Sequence, residues 1–166
     1  KGFKLNPNKR RRTTDSNHVY KRYPNLIKGK DARYSNHIWV SDITYVWILG
    51  DVLYLHLVTD AYSHAVLGWC LSDSLSCLME HHIRISMTEG YEPTDNAMAE
   101  RQNGIFKVEW IYEQEMYRDK EQAINEINRM IDFYNNRRPH MSIGMECPME
   151  VYKGKLPGKN LWRKRP

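Results

Sequence analysis

The sequence lacks the features that would place the protein in a membrane or outside the cell. None of its apolar runs approaches the roughly 20 residues that a transmembrane helix needs. Residues 1–12 are basic and carry no apolar stretch of the kind found in a signal peptide. The three cysteines, Cys70, Cys77 and Cys147, form no Cys-x-x-Cys pair, which argues against a disulfide framework or a zinc site. We therefore expect a soluble cytoplasmic protein with reduced thiols.

Charge is distributed unevenly along the 166 residues, of which 41% are apolar and 27% charged, as in one globular domain. The net charge is +5. Residues 1–40 carry 11 basic and 2 acidic side chains, residues 41–150 carry 8 and 18, and residues 151–166 carry 6 and none. Basic ends attract a phosphate backbone, and an acidic centre suits a metal ion beside phosphate. The alternative is that both ends are solvated tails.

Hydrophobic patterning separates a first part without regular structure from a part rich in strands. Residues 1–36 show no helical or strand period and predict a basic extended arm. Apolar and alternating runs at 38–48, 52–59 and 65–71 predict three strands, the first covered on both faces. Because the connections between them are short, we expect an antiparallel meander.

Helical patterns follow the strands. Residues 97–112 contain good helix formers behind a capping position at 95–96. A second helix follows Asp119, which forms a capping box with Gln122 and precedes an apolar stripe that ends before Pro139. Strands followed by helices indicate an α+β fold.

Two carboxylates in this layout need a chemical explanation. Asp42 lies in the middle of the first predicted strand, where a partly buried charge needs a metal ion, a salt bridge or backbone hydrogen bonds. Glu100 lies on the first predicted helix and shares a face with Lys107. A carboxylate near a lysine can place a metal ion beside a phosphate contact, but a solvated helix face has the same pattern. The residues alone leave these alternatives open.

Four segments in series carry a more specific signal. They are Trp-Val-Ser-Asp-Ile-Thr-Tyr at 39–45, Val-Thr-Asp-Ala-Tyr-Ser at 58–63 with Val-Leu-Gly-Trp at 66–69, Ser-Met at 86–87 with Asp-Asn-Ala-Met-Ala-Glu at 95–100, and Phe-Tyr-Asn-Asn-Arg-Arg-Pro-His at 133–140 with Pro148. In this order they resemble the insertion-sequence transposases of the "IS three" group. The resemblance covers about residues 10–155 of the chain.

The resemblance implies a ribonuclease-H-like core of the retroviral-integrase kind, in which an Asp-Asp-Glu triad holds two magnesium or manganese ions to cut and join DNA. By position, Asp42 matches the first Asp and Glu100 the Glu, so these are the expected catalytic and metal-binding residues. Asp60 matches a position outside the triad and is interpreted as a turn or strand-end cap. The expected DNA contacts are Lys107, Arg10, Arg11, Arg12, Arg137 and Arg138.

The middle Asp of the triad has no counterpart in this chain. Asp42 and Glu100 are 58 residues apart, and the family arrangement needs about 40 more, enough for one helix and a fourth strand. The gap falls near Cys77. It is either a true internal deletion, with Cys77 bonded to Leu78, or a stretch omitted from the numbering. We therefore expect a truncated fold with a basic arm at 1–36, a core at 37–150 that is incomplete around 72–82, and a basic tail at 151–166.

Two classes of function follow from these observations. One is a transposase for metal-dependent DNA cleavage and strand transfer, catalytically defective in this chain. The other is a non-catalytic DNA-binding or interaction remnant of a transposase. Both imply that the partner is DNA, that no membrane is involved and that the protein lies in the bacterial cytoplasm at the nucleoid. Both are compatible with a homo-oligomer. No helix-turn-helix pattern precedes the core, so we expect a separate protein or domain to recognise the element ends.

Overall fold

The computed structural model describes residues 26–27, 30–73, 104–105 and 116–154. Three strands are followed by helical elements. In chain order these are β1 (Trp39–Ile48), β2 (Asp51–Asp60), β3 (Val66–Ser72), α1 (Lys120–Asn136), a 3₁₀ turn (Met141–Ile143) and α2 (Pro148–Tyr152).

The three strands form an antiparallel sheet in the order β1-β2-β3. The predicted meander is therefore confirmed, with strand bounds that differ by at most one residue at each end. Gly50 takes a φ of 86° in the turn between β1 and β2, a backbone conformation that glycine adopts without steric penalty. The register places Asp42 opposite Leu57, in the interior of β1 rather than at its end.

The core lies between α1 and one face of the sheet. On β1, Thr44 and Val46 are buried, and on β2 Leu55 is fully buried. The apolar stripe of α1 packs against them, and Ile127 and Tyr134 are almost fully buried. The alternation of the strands and the period of the helix thus bring two apolar surfaces together, which is the main favourable contribution to folding.

The expectation that β1 is covered on both faces is wrong. Trp39 and Trp47, on the face opposite to Thr44 and Val46, are 47% and 39% exposed. Between them on the same face, Ile43 and Tyr45 are half-buried, so this face is only partly covered. Apolar residues at alternating positions do not reveal which face a helix will cover, so the pattern alone overestimated the burial of this strand.

The start of α1 follows the predicted cap with one difference. Asp119 accepts a hydrogen bond from the backbone N–H of Gln122 at 2.8 Å. The side chain of Gln122 accepts from the N–H of Arg118 at 2.7 Å, one residue before the position that the capping box predicts. The last residue of the helix is Asn136, close to the predicted end.

One further residue extends the sheet beyond β1. Tyr117 pairs in parallel with Ile48. The N–H of Leu49 donates to the carbonyl of Tyr117 at 2.8 Å, and the N–H of Tyr117 donates to the carbonyl of Trp47 at 3.1 Å. This bridge positions the start of α1 against the end of β1. None of the helices described has the length and apolar character that crossing a membrane requires.

Several predicted features fall outside the described residues. These are most of the basic arm, the junction at Cys77, the tail beyond residue 154 and the helix predicted at 97–112, of which Gly104 and Ile105 are described and helical. The expectation of reduced thiols is wrong for Cys70, which is disulfide-bonded. Cys147 is a free thiol.

Candidate functional site

Asp42 is the one member of the expected metal site that the structure describes. It is half-buried in the interior of β1, and its Oδ1 accepts a hydrogen bond from the N–H of Ile43 at 2.8 Å. The pleat places it on the same face of the strand as Thr44. Thr44 is 1% exposed, and its hydroxyl oxygen has no hydrogen-bond partner among the described residues. This face of β1 therefore carries two side-chain oxygens two residues apart.

Asp60 accepts hydrogen bonds on both carboxylate oxygens, which agrees with its interpretation as a strand-end cap. The residue is fully buried at the end of β2. Its Oδ1 accepts hydrogen bonds from the N–H of Ser63 at 2.8 Å and from the hydroxyl of Ser63 at 2.6 Å. Its Oδ2 accepts from the N–H of Asn36 at 2.7 Å. Oδ1 thus holds the turn between β2 and β3, and Oδ2 holds the backbone just before β1.

Asn36 connects three parts of the fold, and sequence reasoning did not identify it. Its φ is 67°, a left-handed conformation that asparagine tolerates better than most residues. Its side-chain oxygen accepts from the indole N–H of Trp39 at 3.2 Å and from the hydroxyl of Tyr152 at 2.8 Å. The arm thereby reaches the start of β1 and the end of α2. An asparagine in a polar segment has no pattern that would predict these contacts.

The motif at 133–140 contributes mainly to packing. Asn135 is 5% exposed and bonds the backbone of Val66. The ring of His140 lies 4.6 Å from that of Tyr134 and 6.2 Å from that of His64. Ser142 Oγ lies 3.2 Å from His64 Nδ1. These contacts tie the chain after α1 to the turn between β2 and β3.

The two arginines of this motif have different surroundings. Arg138 is half-buried, and its Nη1 lies 3.3 Å from Nε2 of His140. Arg137 is exposed at the end of α1. Only Arg137 presents a guanidinium group to solvent in the way expected of a DNA contact.

The remaining expected site residues lie outside the described residues. They are Glu100, Lys107, Arg10, Arg11 and Arg12. Within the described ranges, no three His, Cys, Asp or Glu side chains are grouped so that they could hold a metal ion. The structure therefore describes Asp42 without the second carboxylate that the sequence pairs with it.

Comparisons with known proteins find similarity to insertion-sequence transposases. The model of the integrase core domain matches residues 81–148. A putative transposase for insertion sequence element IS986/IS6110 from Mycobacterium tuberculosis is 27% identical over 187 residues, covering 86% of this chain and 67% of the relative. The transposase for IS904 from Lactococcus lactis is 25% identical over 170 residues, which cover 78% of this chain and 67% of the relative. The transposase for IS629 from Shigella sonnei is 23% identical over 159 residues, which cover 74% of this chain and 53% of the relative. No solved structure matches. The resemblance seen in the motifs is therefore confirmed, since the chain is similar to insertion-sequence transposases and residues 81–148 match an integrase core domain.

Proposed function

We propose that this chain is a transposase derivative that binds DNA through its basic residues but has an incomplete catalytic centre. The observation that carries the proposal is that the sequence has no counterpart to the central carboxylate of the expected triad. Asp42 is retained in a strand interior, so the loss concerns the second ligand rather than the sheet that positions the first.

The length of the matched stretch supports this loss. The mycobacterial match extends over 187 positions, more than the 166 residues of this chain, although it uses only 86% of them, about 143. The relative thus has about 44 positions within the match to which this chain has no equivalent. The sequence separation between Asp42 and Glu100 is shorter than the family spacing by about 40 residues, which is enough for one helix and one strand. The two estimates agree.

The residues present fit a divalent cation only in part. Asp42 and Glu100 would hold magnesium or manganese, because carboxylate oxygens are the ligands that these hard cations prefer. Such a cation, when bound, would activate the attacking water or 3′-hydroxyl and stabilise the leaving oxygen. The N–H of Ile43 donates to Asp42 Oδ1 and restricts how the carboxylate can turn. Two carboxylates in place of three leave the bridging ligand of a two-ion site unfilled.

Binding to DNA does not depend on that triad. Phosphate contacts by lysine and arginine release counterions, so they need only accessible positive charge. The ends of the chain, at 1–40 and 151–166, supply most of that charge, and Arg137 adds an exposed guanidinium on the folded core. We expect little sequence preference from these contacts and propose that element ends are recognised by another protein or domain. The site of action would be bacterial DNA in the nucleoid.

The first test measures binding of the full chain to a labelled DNA duplex. Affinity should fall at least about 10-fold between 50 and 200 mM salt, because several phosphate contacts are lost together. Replacing Arg10, Arg11 and Arg12 by glutamine should reduce the slope of log affinity against log salt by about 2 to 3. Lys120→Gln, which removes an exposed charge on α1, serves as the control and should change the slope by less. Absent or salt-insensitive binding would contradict the proposal.

The second test measures nicking of supercoiled plasmid with magnesium or manganese. We expect background nicking by the wild-type chain, with no further loss in Asp42→Asn or Glu100→Gln. Metal-dependent nicking that disappears in Glu100→Gln would show that the centre is complete in function. The chain would then be an active strand transferase, and the proposed loss of catalysis would be wrong.

A further inference from the structure

A cavity of about 400 Å³ lies along α1. Tyr117 and Met130, 3% and 4% exposed, form its inner wall. Phe133 also lines it and is 44% exposed. The volume lies within the roughly 300–1,000 Å³ of small-ligand sites. The cavity therefore combines a solvent-accessible aromatic ring with a closed apolar base.

Two arginines flank that ring along the helix. Arg129, Phe133 and Arg137 are spaced four residues apart, which places them in one row on the helix surface, and all three line the cavity. An accessible aromatic ring between guanidinium groups is the arrangement that proteins use to bind single-stranded nucleic acid, in which a base stacks on the ring and phosphates meet the arginines.

The charges around the cavity determine which part of a nucleotide it can hold. Arg129 is paired with Glu126 at 2.8 Å, and Asp132 accepts a hydrogen bond from the side-chain amide of Asn136 at 2.9 Å. Arg137 has no side-chain ion pair within the described residues. Two carboxylates balance two guanidinium groups, so charge alone does not retain a phosphate here. Stacking on Phe133 has to provide most of the affinity.

We propose that this cavity binds an unpaired base of a DNA strand, stacked on Phe133, with the adjoining phosphate at Arg137. The inference rests on the proposed function, because it names which form of DNA one surface of the core recognises. In a duplex the faces of the bases are already stacked on one another, so only a single-stranded or extruded base can reach the ring. The cavity would thus add a preference for unpaired DNA to the nonspecific binding of the basic ends.

The experiment compares three labelled ligands of equal length with the full chain at 200 mM salt, where nonspecific phosphate contacts are weakened. The ligands are a single strand, the same strand with abasic sites and a duplex. Wild type should bind the base-containing strand at least about 5-fold more tightly than the abasic strand, from one stacked base. Phe133→Leu should abolish this difference, whereas Phe133→Tyr, which keeps the ring, should retain it.

A matched control comes from an aromatic ring elsewhere on the surface. Tyr34 is 60% exposed and does not line the cavity, so Tyr34→Leu should leave the preference for bases unchanged. Arg137→Gln should weaken binding of both single strands by a similar factor, because it removes a phosphate contact and not the stacking surface. Circular dichroism establishes that each variant is folded. Retention of the preference by Phe133→Tyr would show that a change at this position does not by itself abolish binding through misfolding.

The outcomes separate this inference from the proposed function. Equal affinity of wild type for base-containing and abasic strands, together with intact duplex binding, would overturn the base-binding cavity alone. A preference that survives in Phe133→Leu would also overturn it. If wild type binds none of the three ligands at low salt, the proposed DNA-binding function itself is wrong.

Discussion

The side chain of Asn135 forms two hydrogen bonds with the backbone of Val66, each of 2.9 Å. Its Oδ1 accepts from the N–H of Val66, and its Nδ2 donates to the carbonyl of the same residue. The amide thereby imitates the exchange of two bonds between paired residues of a sheet. Both partners are buried, so a residue on α1 satisfies the first backbone groups of β3.

Replacing Asn135 by alanine should therefore destabilise the fold. Two buried backbone groups would lose their partners, and we expect the free energy of unfolding to fall by about 2–3 kcal/mol. Urea denaturation measures the change. Asn136→Ala is the matched control, because Asn136 is exposed and bonds only within α1, to Asp132. A loss for Asn135→Ala no greater than that of the control would mean that water replaces the amide.

Asp60→Ala should be among the most damaging single changes in the described part of the chain. The N–H of Asn36 and two donors of Ser63 would lose a buried acceptor, and the expected loss is about 3 kcal/mol. Asp51→Ala offers the comparison. Asp51 also accepts a neighbouring N–H, from Val52 at 2.7 Å, but it is exposed, so its removal should cost less than about 0.5 kcal/mol. Similar losses in the two variants would contradict the assignment of Asp60 as a buried cap.

Thr44→Val should raise stability or leave it unchanged. The hydroxyl of Thr44 is buried without a partner among the described residues, and valine has the same shape without the polar atom. Removing an unsatisfied group should add about 1 kcal/mol to the free energy of unfolding. Ser63→Ala removes a buried hydroxyl that donates to Asp60 and should be destabilising. A destabilised Thr44→Val would indicate that the hydroxyl has a partner in solution.

Asp119 makes the stability of α1 depend on pH. The hydrogen bond from the N–H of Gln122, and then the side chain of Arg118, lower the pKa of Asp119 below its ordinary value of 3.8. A lowered pKa means that the contribution of the carboxylate is fully present above 3.8 and is lost as the pH falls through the lower, folded value. Asp119→Ala should therefore lower the melting temperature at pH 7. The difference from wild type should shrink below pH 3.8, and a constant difference down to pH 2 would contradict this.

The amino-acid sequence by itself determined the local elements and the resemblance to a family. Alternating and continuous apolar runs located the three strands, and the pairing of Asp119 with Gln122 located the start of α1. These signals are local, because the pleat of a strand and the turn of a helix repeat every few residues. The motifs around Asp42 and Glu100 revealed the resemblance to insertion-sequence transposases for the same reason, since they are short and read directly from the chain.

Only the tertiary structure decided which side chains meet across the chain. The bond between Asp60 and Asn36 joins residues 24 apart, and that between Asn135 and Val66 joins residues 69 apart. Such contacts depend on how α1 crosses the sheet, and no local period encodes a crossing. Folding also decided that Arg138 packs beside His140 while Arg137 stays exposed near Phe133. Neighbours in sequence point in different directions at the end of a helix, because each residue turns the side chain by about 100°.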